Sequence, residues 1–580
     1  MAEPSDDLPP GAMVALAMAP SRGAAWAADD GSSGVVATDD VRDWVRHVTQ
    51  QIDPRWVWWS KDTATRLLEL GIRPSRCWDL SAVHRLLHGG WRAEPAHVWA
   101  AANGLDPTRL PAPPTIDLFH QPDDDGDPDD PVRPDGHLRH EWAAGAWSET
   151  PERMRAWARL AVQCRRRQDV ALGVEPVEHV GPFAGPERRR RTAASESAAE
   201  ILCAELERDG LPMDRAEAER IVAGFVGPRP LTPEDEARRL AERDAEVLAH
   251  LPVPDGIDLR SPDSVKSLLR RVGIEVPDTR AWRLERMVDR HPIVAPLLAW
   301  RRAERIRTTF GYLWLDEHLG ADGRLRGHWS GSDGAAGRMT ATAGLHNMPS
   351  ELRPAIAAEE GHLFVRADLG QIEPRVLAAV SGDTALARAT HDDDMYQRVA
   401  GQLGTDRELA KLAVLGAMYG ATTGRGAEAL ARLEREYPVA MGYLRDADVA
   451  AQGGNDLRTF GGRRVAMTAG DGEHSDRDGR NRAAARGRFG RNAMVQGAAA
   501  EFFKTWAVLV RARGASLGAT IVLCLHDELV VHVARDRADD AVALVDRCLA
   551  EAAHRWAPPN DPAVRFVTAT SVVERWSQAG

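Results

Sequence analysis

The chain has 580 residues and a formal net charge of -12, which is long enough for several domains with buried cores and excludes a peptide, toxin or small scaffold. Hydrophobic residues make up 43% and charged residues 28%, close to globular averages, so pervasive disorder and a fibrous architecture are excluded. No window approaches about 18 uninterrupted apolar residues, and the start MAEPSDDLPP lacks the basic-then-apolar pattern of a signal peptide; a cytoplasmic protein without membrane contact is expected. Five scattered cysteines (Cys77, Cys164, Cys203, Cys524, Cys548) show no paired metal spacing, which predicts reduced thiols rather than disulfides or structural zinc.

In chain order, apolar runs at Met13 to Ala19 and Trp56 to Trp59 alternate with helical patterns at Val41 to Gln51 and Thr63 to Leu70, which predicts a small α/β domain. The Pro-, Asp- and Gly-rich stretch 111–136 reads as an exposed linker or long loop, and 185–197 (GPERRRRTAASES) as a second break. From Ser195 to Phe310 the pattern is helical, interrupted at Gly210 to Met213, Gly227 to Thr232, Leu251 to Asp258 and Gly273 to Pro277. No internal repeat is visible.

Charge is uneven along the chain. Residues 1–135 hold 22 Asp/Glu against 12 Lys/Arg, whereas 261–310 hold 11 Lys/Arg against 6 Asp/Glu and 475–515 hold 9 against 3. Each basic stripe reads either as a solvated helix face or as a nucleic-acid contact. Only Lys61, Lys266, Lys411 and Lys504 stand among 70 arginines. An ammonium can give up a proton and a guanidinium cannot, so a lysine here is a candidate for phosphate chemistry, beside the plainer reading of drift at a surface site.

Two later stretches read as strands carrying acids. His362 to Leu369 is a strand pattern with Asp368 at its end, and Gln371-Ile372-Glu373-Pro374-Arg375 begins a helix with Pro374 in its first turn. Thr520 to Leu525 and Leu529 to Val533 flank His526-Asp527-Glu528, which places these polar residues in a tight hairpin turn or bulge, where acids can reach a metal. Arg407, Lys411, Leu415 and Tyr419 recur at every fourth position; with about 3.6 residues per turn they form one helical stripe.

These segments follow the order of DNA polymerase family A, and the chain from about residue 195 onward resembles that family, of the bacterial DNA polymerase I type in an actinobacterial-like large-fragment form. Asp368-Leu369-Gly370-Gln371-Ile372-Glu373-Pro374-Arg375 is similar to its motif A. Arg407 and Lys411 followed by Tyr419-Gly420 match its finger-helix motif, and His526-Asp527-Glu528 its motif C. Gly337-Arg338-Met339 with Leu345-His346-Asn347-Met348-Pro349, and Arg488, Asn492 and Gln496-Gly497, match two further segments. The resemblance implies a multidomain α/β and α+β fold, a right-hand polymerase of palm, fingers and thumb preceded by a small RNase H-like α/β exonuclease-like domain. The expected boundaries are 1–190 for a degenerate 3′-5′ exonuclease-like domain with its acidic linker and 191–580 for the polymerase domain. Within the latter, the thumb is expected at about 240–325, the fingers at about 376–490 and the palm in the remainder, including 326–375 and 491–580.

The resemblance further implies template-directed DNA synthesis in replication or repair, with primer-template DNA and deoxynucleoside triphosphates as partners, two Mg²⁺ ions as cofactors, and a monomeric protein. Asp368 and Asp527 would bridge the metals with Glu528 auxiliary, an arrangement suited to hard oxygen ligands. Arg407 and Lys411 would grip the triphosphate, with Lys411 able to protonate pyrophosphate. Leu415, Tyr419, Gln371, His526 and the steric-gate residue Glu373 would complete the nucleotide site. Arg338, Asn347, Arg488, Asn492, Gln496 and His526 would touch DNA, Arg338 and Gln496 by donating to acceptors common to every base pair.

The chain departs from the family at Val414-Leu415, where Asn-Phe is usual, at His346 in place of Gln, and at Pro374. Trp78 to Leu87 loosely resembles an exonuclease helix, yet no acid occurs between Leu8 and Ala28, Thr63 rather than Asp62 falls at the second acid position, and the first tyrosine is Tyr312. A vestigial exonuclease is therefore expected, with no room for a 5′ nuclease domain. Two alternatives remain: a DNA-binding protein that keeps the polymerase fold with impaired catalysis, and a polymerase with an active 3′-5′ exonuclease.

Overall fold

Small and large apolar side chains along Met13–Ala19 build the central strand of the first sheet in the computed structural model, which describes residues 8–111, 127–174, 185–251, 257–420, 426–467, 476–559 and 561–579. Most of the expected linker at 111–136 and of the break at Leu251 to Asp258 lies outside the described residues. The chain divides into two units. One comprises Met1–Gly210, His328–Ala341 and Glu360–Val573, the other Leu211–Gly327, Thr342–Glu359 and Glu574–Gly580.

In the first unit, Met13–Ala19, Gly23–Ala28 and Ser33–Val36 form an antiparallel meander, and Arg55–Trp58 and Cys77–Asp79 add to it in parallel on the other side. The helices Val41–Ile52 and Asp62–Glu69 supply the crossovers, as the sequence patterns predict. One face packs Leu16, Met18, Trp26, Trp56 and Trp58 against Trp44, Val45, Leu67 and Leu68; the other packs Ala15, Ala17 and Val57 against Trp157 and Ala158. This is the expected RNase H-like layering. All five cysteines are buried thiols that form no disulfide.

The expected break at 185–197 is instead the start of a continuous helix, Pro186–Asp209. Pro186 suits its first turn, where the missing N–H costs no hydrogen bond, and arginine and alanine are good helix formers. Three of its acids, Glu196, Glu200 and Glu205, are buried. Glu196 pairs with Lys504 and Arg463 at 2.5 Å each, Glu200 with Arg85 at 2.5 Å, and Glu205 with Arg511 at 2.7 Å. Ser197 Oγ accepts from the Asp79 N–H at 3.0 Å. Lys61 pairs with Glu207 at 2.5 Å, so two of the four lysines serve this helix.

The second sheet is antiparallel throughout, in the order Thr520–Cys524, Glu528–Ala534, His362–Leu369, Thr568–Val573. Residues 364, 365, 367, 522, 523 and 529–531 are buried, as suits β-branched and long apolar side chains on packed strands. The other unit is mainly helical, with Arg215–Val226, Pro233–Leu248, Pro262–Arg271 and Val294–Phe310 as its main helices. Its core gathers Val247, Val265, Leu268, Leu284, Leu297 and Trp300. Arg260, Arg283 and Arg307 there are paired with acids, while Arg270, Arg271, Arg280, Arg286 and Arg290 are exposed. No helix among the described residues is long and apolar enough to cross a membrane.

Candidate active site

The antiparallel register sets Asp368 directly opposite Glu528. The Leu369 N–H donates to the Asp527 carbonyl at 2.7 Å, so the backbone itself fixes the separation between the end of one strand and the hairpin turn of its neighbour. Both aspartates are partly exposed, whereas Glu528 is buried. Removal from water, then the Asp527 charge, pushes the Asp368 carboxyl up to about 6, against the pull of Arg366. Burial also raises Asp527, with Glu528 and Glu373 adding to it and His526 opposing. Crowded carboxylates that hold protons this readily are a hard-oxygen donor set that a divalent cation relieves, so the residues present fit Mg²⁺.

Glu373 stands in the first turn of the helix Ile372–Ser381. Arg338 Nη2 donates to its Oε1 at 2.7 Å, and the Tyr419 hydroxyl donates to its Oε2 at 2.7 Å. Burial, then this bond to an anion, pushes Tyr419 up to about 12, and Gln496 shares the same hydroxyl. The proposed gate is thus clamped at both oxygens. Arg338, expected as a DNA contact, is here the ion-pair partner of that gate.

The finger helix spans Arg407–Tyr419 and presents the expected stripe: Arg407, Lys411 and Leu415 are half-buried, Tyr419 is exposed and Val414 faces the interior. Of the two departures from the family, only Leu415 therefore lies on the open face. Arg407 is engaged by Asp394 through Nε and by Glu408 at 2.6 Å. Asp394 also accepts from Gln371 Nε2 at 2.8 Å, and Gln371, with a left-handed φ of 55°, accepts from the Met395 N–H at 2.9 Å. Tyr419 leads into Gly420 at φ 71°, where an added Cβ would lie 2.7 Å from the Arg488 side chain; glycine alone suits both the angle and the approach. Arg488, Asn492 and Gln496 share the long helix Asp476–Gly514. Asn347 belongs to the other unit, in the short turn Leu345–Asn347, where its carbonyl accepts from Arg305 at 3.0 Å.

Sequence reasoning missed Arg366, Asp394 and Tyr396. Arg366 donates to Asp368 at 2.9 Å and to Glu528 at 2.7 Å through one nitrogen. Tyr396 is buried, with the Arg407 guanidinium 6.0 Å from its ring centroid. A cation two residues before Asp368 on an otherwise apolar strand was the available signal for the first, because i and i+2 share a strand face. Asp394 ends a run of three aspartates that looks like solvated surface.

An antiparallel sheet that carries acids at a strand end and hairpin, flanked by a helix striped with Arg, Lys and Tyr and joined to an RNase H-like sheet, defines a right-hand polymerase fold. The chain belongs to DNA polymerase family A, whose profile matches residues 237–578. It is 32% identical over 303 residues to the thermostable DNA polymerase I of Thermus filiformis, covering 46% of this chain and 35% of that one. To DNA polymerase I of Chloroflexus aurantiacus it is 30% identical over 293 residues, 45% of this chain and 30% of that one. The chain thus spans about a third of the length of these curated relatives. A solved structure of the polymerase domain of Pol1 from M. smegmatis, in complex with DNA primer-template and dNTP, shares the fold. Its TM-score is 0.68 at 20% identity, covering 99% of this chain and 97% of that one.

Proposed function

We propose that this chain is a template-directed DNA polymerase that extends a primer 3′ end with deoxynucleotides, in replication or repair. The observation that carries the reading is the pairing of Asp368 and Asp527 through the Leu369 to Asp527 backbone bond, beside Glu373, which is hydrogen-bonded to the end of the finger helix. Asp368 and Asp527 would hold two Mg²⁺ ions, which when bound would lower the pKa of the primer hydroxyl and neutralise the triphosphate. The side chains do the rest. Arg407 exchanges its carboxylate partners for phosphate oxygens, Lys411 gives a proton to departing pyrophosphate, and Glu373 stands against C2′ of the incoming sugar. Arg338 and Gln496 reach base-pair acceptors once DNA is bound, with Asn347, Arg488, Asn492 and His526 as further DNA contacts.

Residues 191–580 form the polymerase domain. Its thumb at about 240–325 follows the DNA backbone through exposed arginines, a salt-sensitive contact. Residues 1–190 form a degenerate exonuclease-like domain: the first strand, Met13–Ala19, carries no acid, and Asp79 is engaged as a helix cap by Ala82 at 2.8 Å and by Trp58 at 3.0 Å. The protein acts as a monomer in the cytoplasm.

Extension of a labelled primer with and without Mg²⁺ is the test. Wild type should extend, and Asp368→Ala or Asp527→Ala should each lose at least about a hundredfold in rate, ~2.7 kcal/mol of transition-state stabilisation, while still shifting DNA in a gel. Either mutant extending above that level overturns the assignment. Wild-type protein that binds primer-template without extending it would mark a DNA-binding protein with impaired catalysis.

A further inference from the structure

The acid site contains a cation of its own. Arg366 and Asp368 point to the same side of their strand, and the register brings Glu528 across from Asp368. One guanidinium nitrogen, Nη2, reaches both acids, Glu528 at 2.7 Å and Asp368 at 2.9 Å. The Arg366 side chain is 14% exposed and its Nε is buried with no hydrogen-bond partner among the described residues; its Nη2 donates to both carboxylates. Exposure divides those acids sharply. Glu528 is 6% exposed and Asp368 32%, so the guanidinium neutralises the acid that solvent cannot reach while leaving an edge of Asp368 open.

We propose that Arg366 is a built-in counter-cation that keeps Glu528 out of the metal shell and lowers the affinity of the Asp368–Asp527 pair for the first divalent ion. The inference rests on the polymerase reading above. Arginine does not deprotonate near neutrality, so the competition persists throughout the working pH range. A metal ion entering at Asp368 meets a fixed positive charge and displaces one charge-assisted hydrogen bond, and Glu528, already paired, contributes no ligand. Two aspartates then carry the ions with substrate phosphates and water completing the shells, which Mg²⁺ tolerates.

Mn²⁺ binding to the full chain, without DNA or nucleotide and followed by electron paramagnetic resonance of the free ion, tests this apart from catalysis. Arg366→Gln should bind Mn²⁺ at least about tenfold more tightly than wild type, the scale of one lost charge-assisted hydrogen bond. Arg366→Lys, which keeps the charge, should stay within about threefold of wild type. Because Arg366→Gln alone leaves Glu528 uncompensated, Arg366→Gln/Glu528→Gln preserves the net charge of the site. With Asp368 freed from its hydrogen bond, the double variant should still bind about threefold more tightly than wild type. Unchanged or weaker binding by a folded Arg366→Gln or by the double variant overturns the proposal. Asp368→Ala separates the two readings: if it binds Mn²⁺ as wild type does, the metal assignment itself fails, whereas if it loses the ion and Arg366→Gln gains nothing, only the role of Arg366 fails.

Discussion

The two large sheets of the first unit are built alike and equipped differently. Each has a central strand, a tight reversal and a neighbouring strand whose end could present an acid. In the N-terminal sheet the central strand reads MVALAMA, and the aspartate at a strand end, Asp79, is fully buried as a helix cap and tryptophan partner. Burial, and after it the Glu200 charge, pushes that carboxyl up to about 7. In the other sheet the corresponding acids, Asp368 and Asp527, keep an open edge, and each has its ionisation resisted by neighbouring acids as well as by partial burial. An acid sealed by donors is a structural part, and an acid crowded by other acids at an opening is available to a cation. On the proposed reading the first sheet would be a packing platform, and the second would carry the chemistry.

The helix Pro186–Asp209 contacts both, and its removal from the balance should have the largest effect. Glu196→Ala leaves Lys504 and Arg463 buried without their carboxylate, so urea unfolding should show a loss of about 3–5 kcal/mol; a loss under about 1 kcal/mol would mean the platform is not held by these ions. Glu373→Ala sharpens the comparison from the reactive side. It removes the clamped carboxylate and should raise ribonucleotide insertion relative to deoxynucleotide at least about tenfold, ~1.4 kcal/mol, and Leu415→Phe should instead speed deoxynucleotide insertion. Single-turnover insertion by wild type and both variants reads this directly, and an unchanged sugar ratio in Glu373→Ala refutes the gate. The smallest effect expected is none: with Mg²⁺ or Mn²⁺ the protein should leave a mismatched 3′ end intact. Trimming that survives in Asp368→Ala and disappears in Asp79→Asn would make the first sheet a nuclease after all.

Much of this was legible in the sequence because the signals were local. Met13 to Ala19, His362 to Leu369 and the pair flanking His526-Asp527-Glu528 are short β-rich runs, and the fourfold spacing from Arg407 to Tyr419 yields one helix face whatever surrounds it. What was illegible depended on partners distant in sequence. The segment 185–197 resembles a solvated loop until Lys504, Arg463 and Arg85 are brought against the acids of its helix. Arg366 and Glu528 are 162 residues apart, and nothing near either one announces the other. That Arg338 meets the Glu373 carboxylate at 2.7 Å was likewise hidden, because the two lie 35 residues apart.

The Arg407 side chain begins its work already loaded, with Asp394 and Glu408 as resident counter-ions. A finger helix in this condition behaves as an ion exchanger rather than as a bare positive surface. Under the proposed function an arriving polyphosphate would take the place of carboxylates, and little net charge would change hands at Arg407. Selection at that position falls on which anion holds a planar fork better, a matter of oxygen geometry and charge density. Long-range attraction contributes correspondingly little there, because the field of a preloaded exchanger is largely cancelled before the substrate arrives.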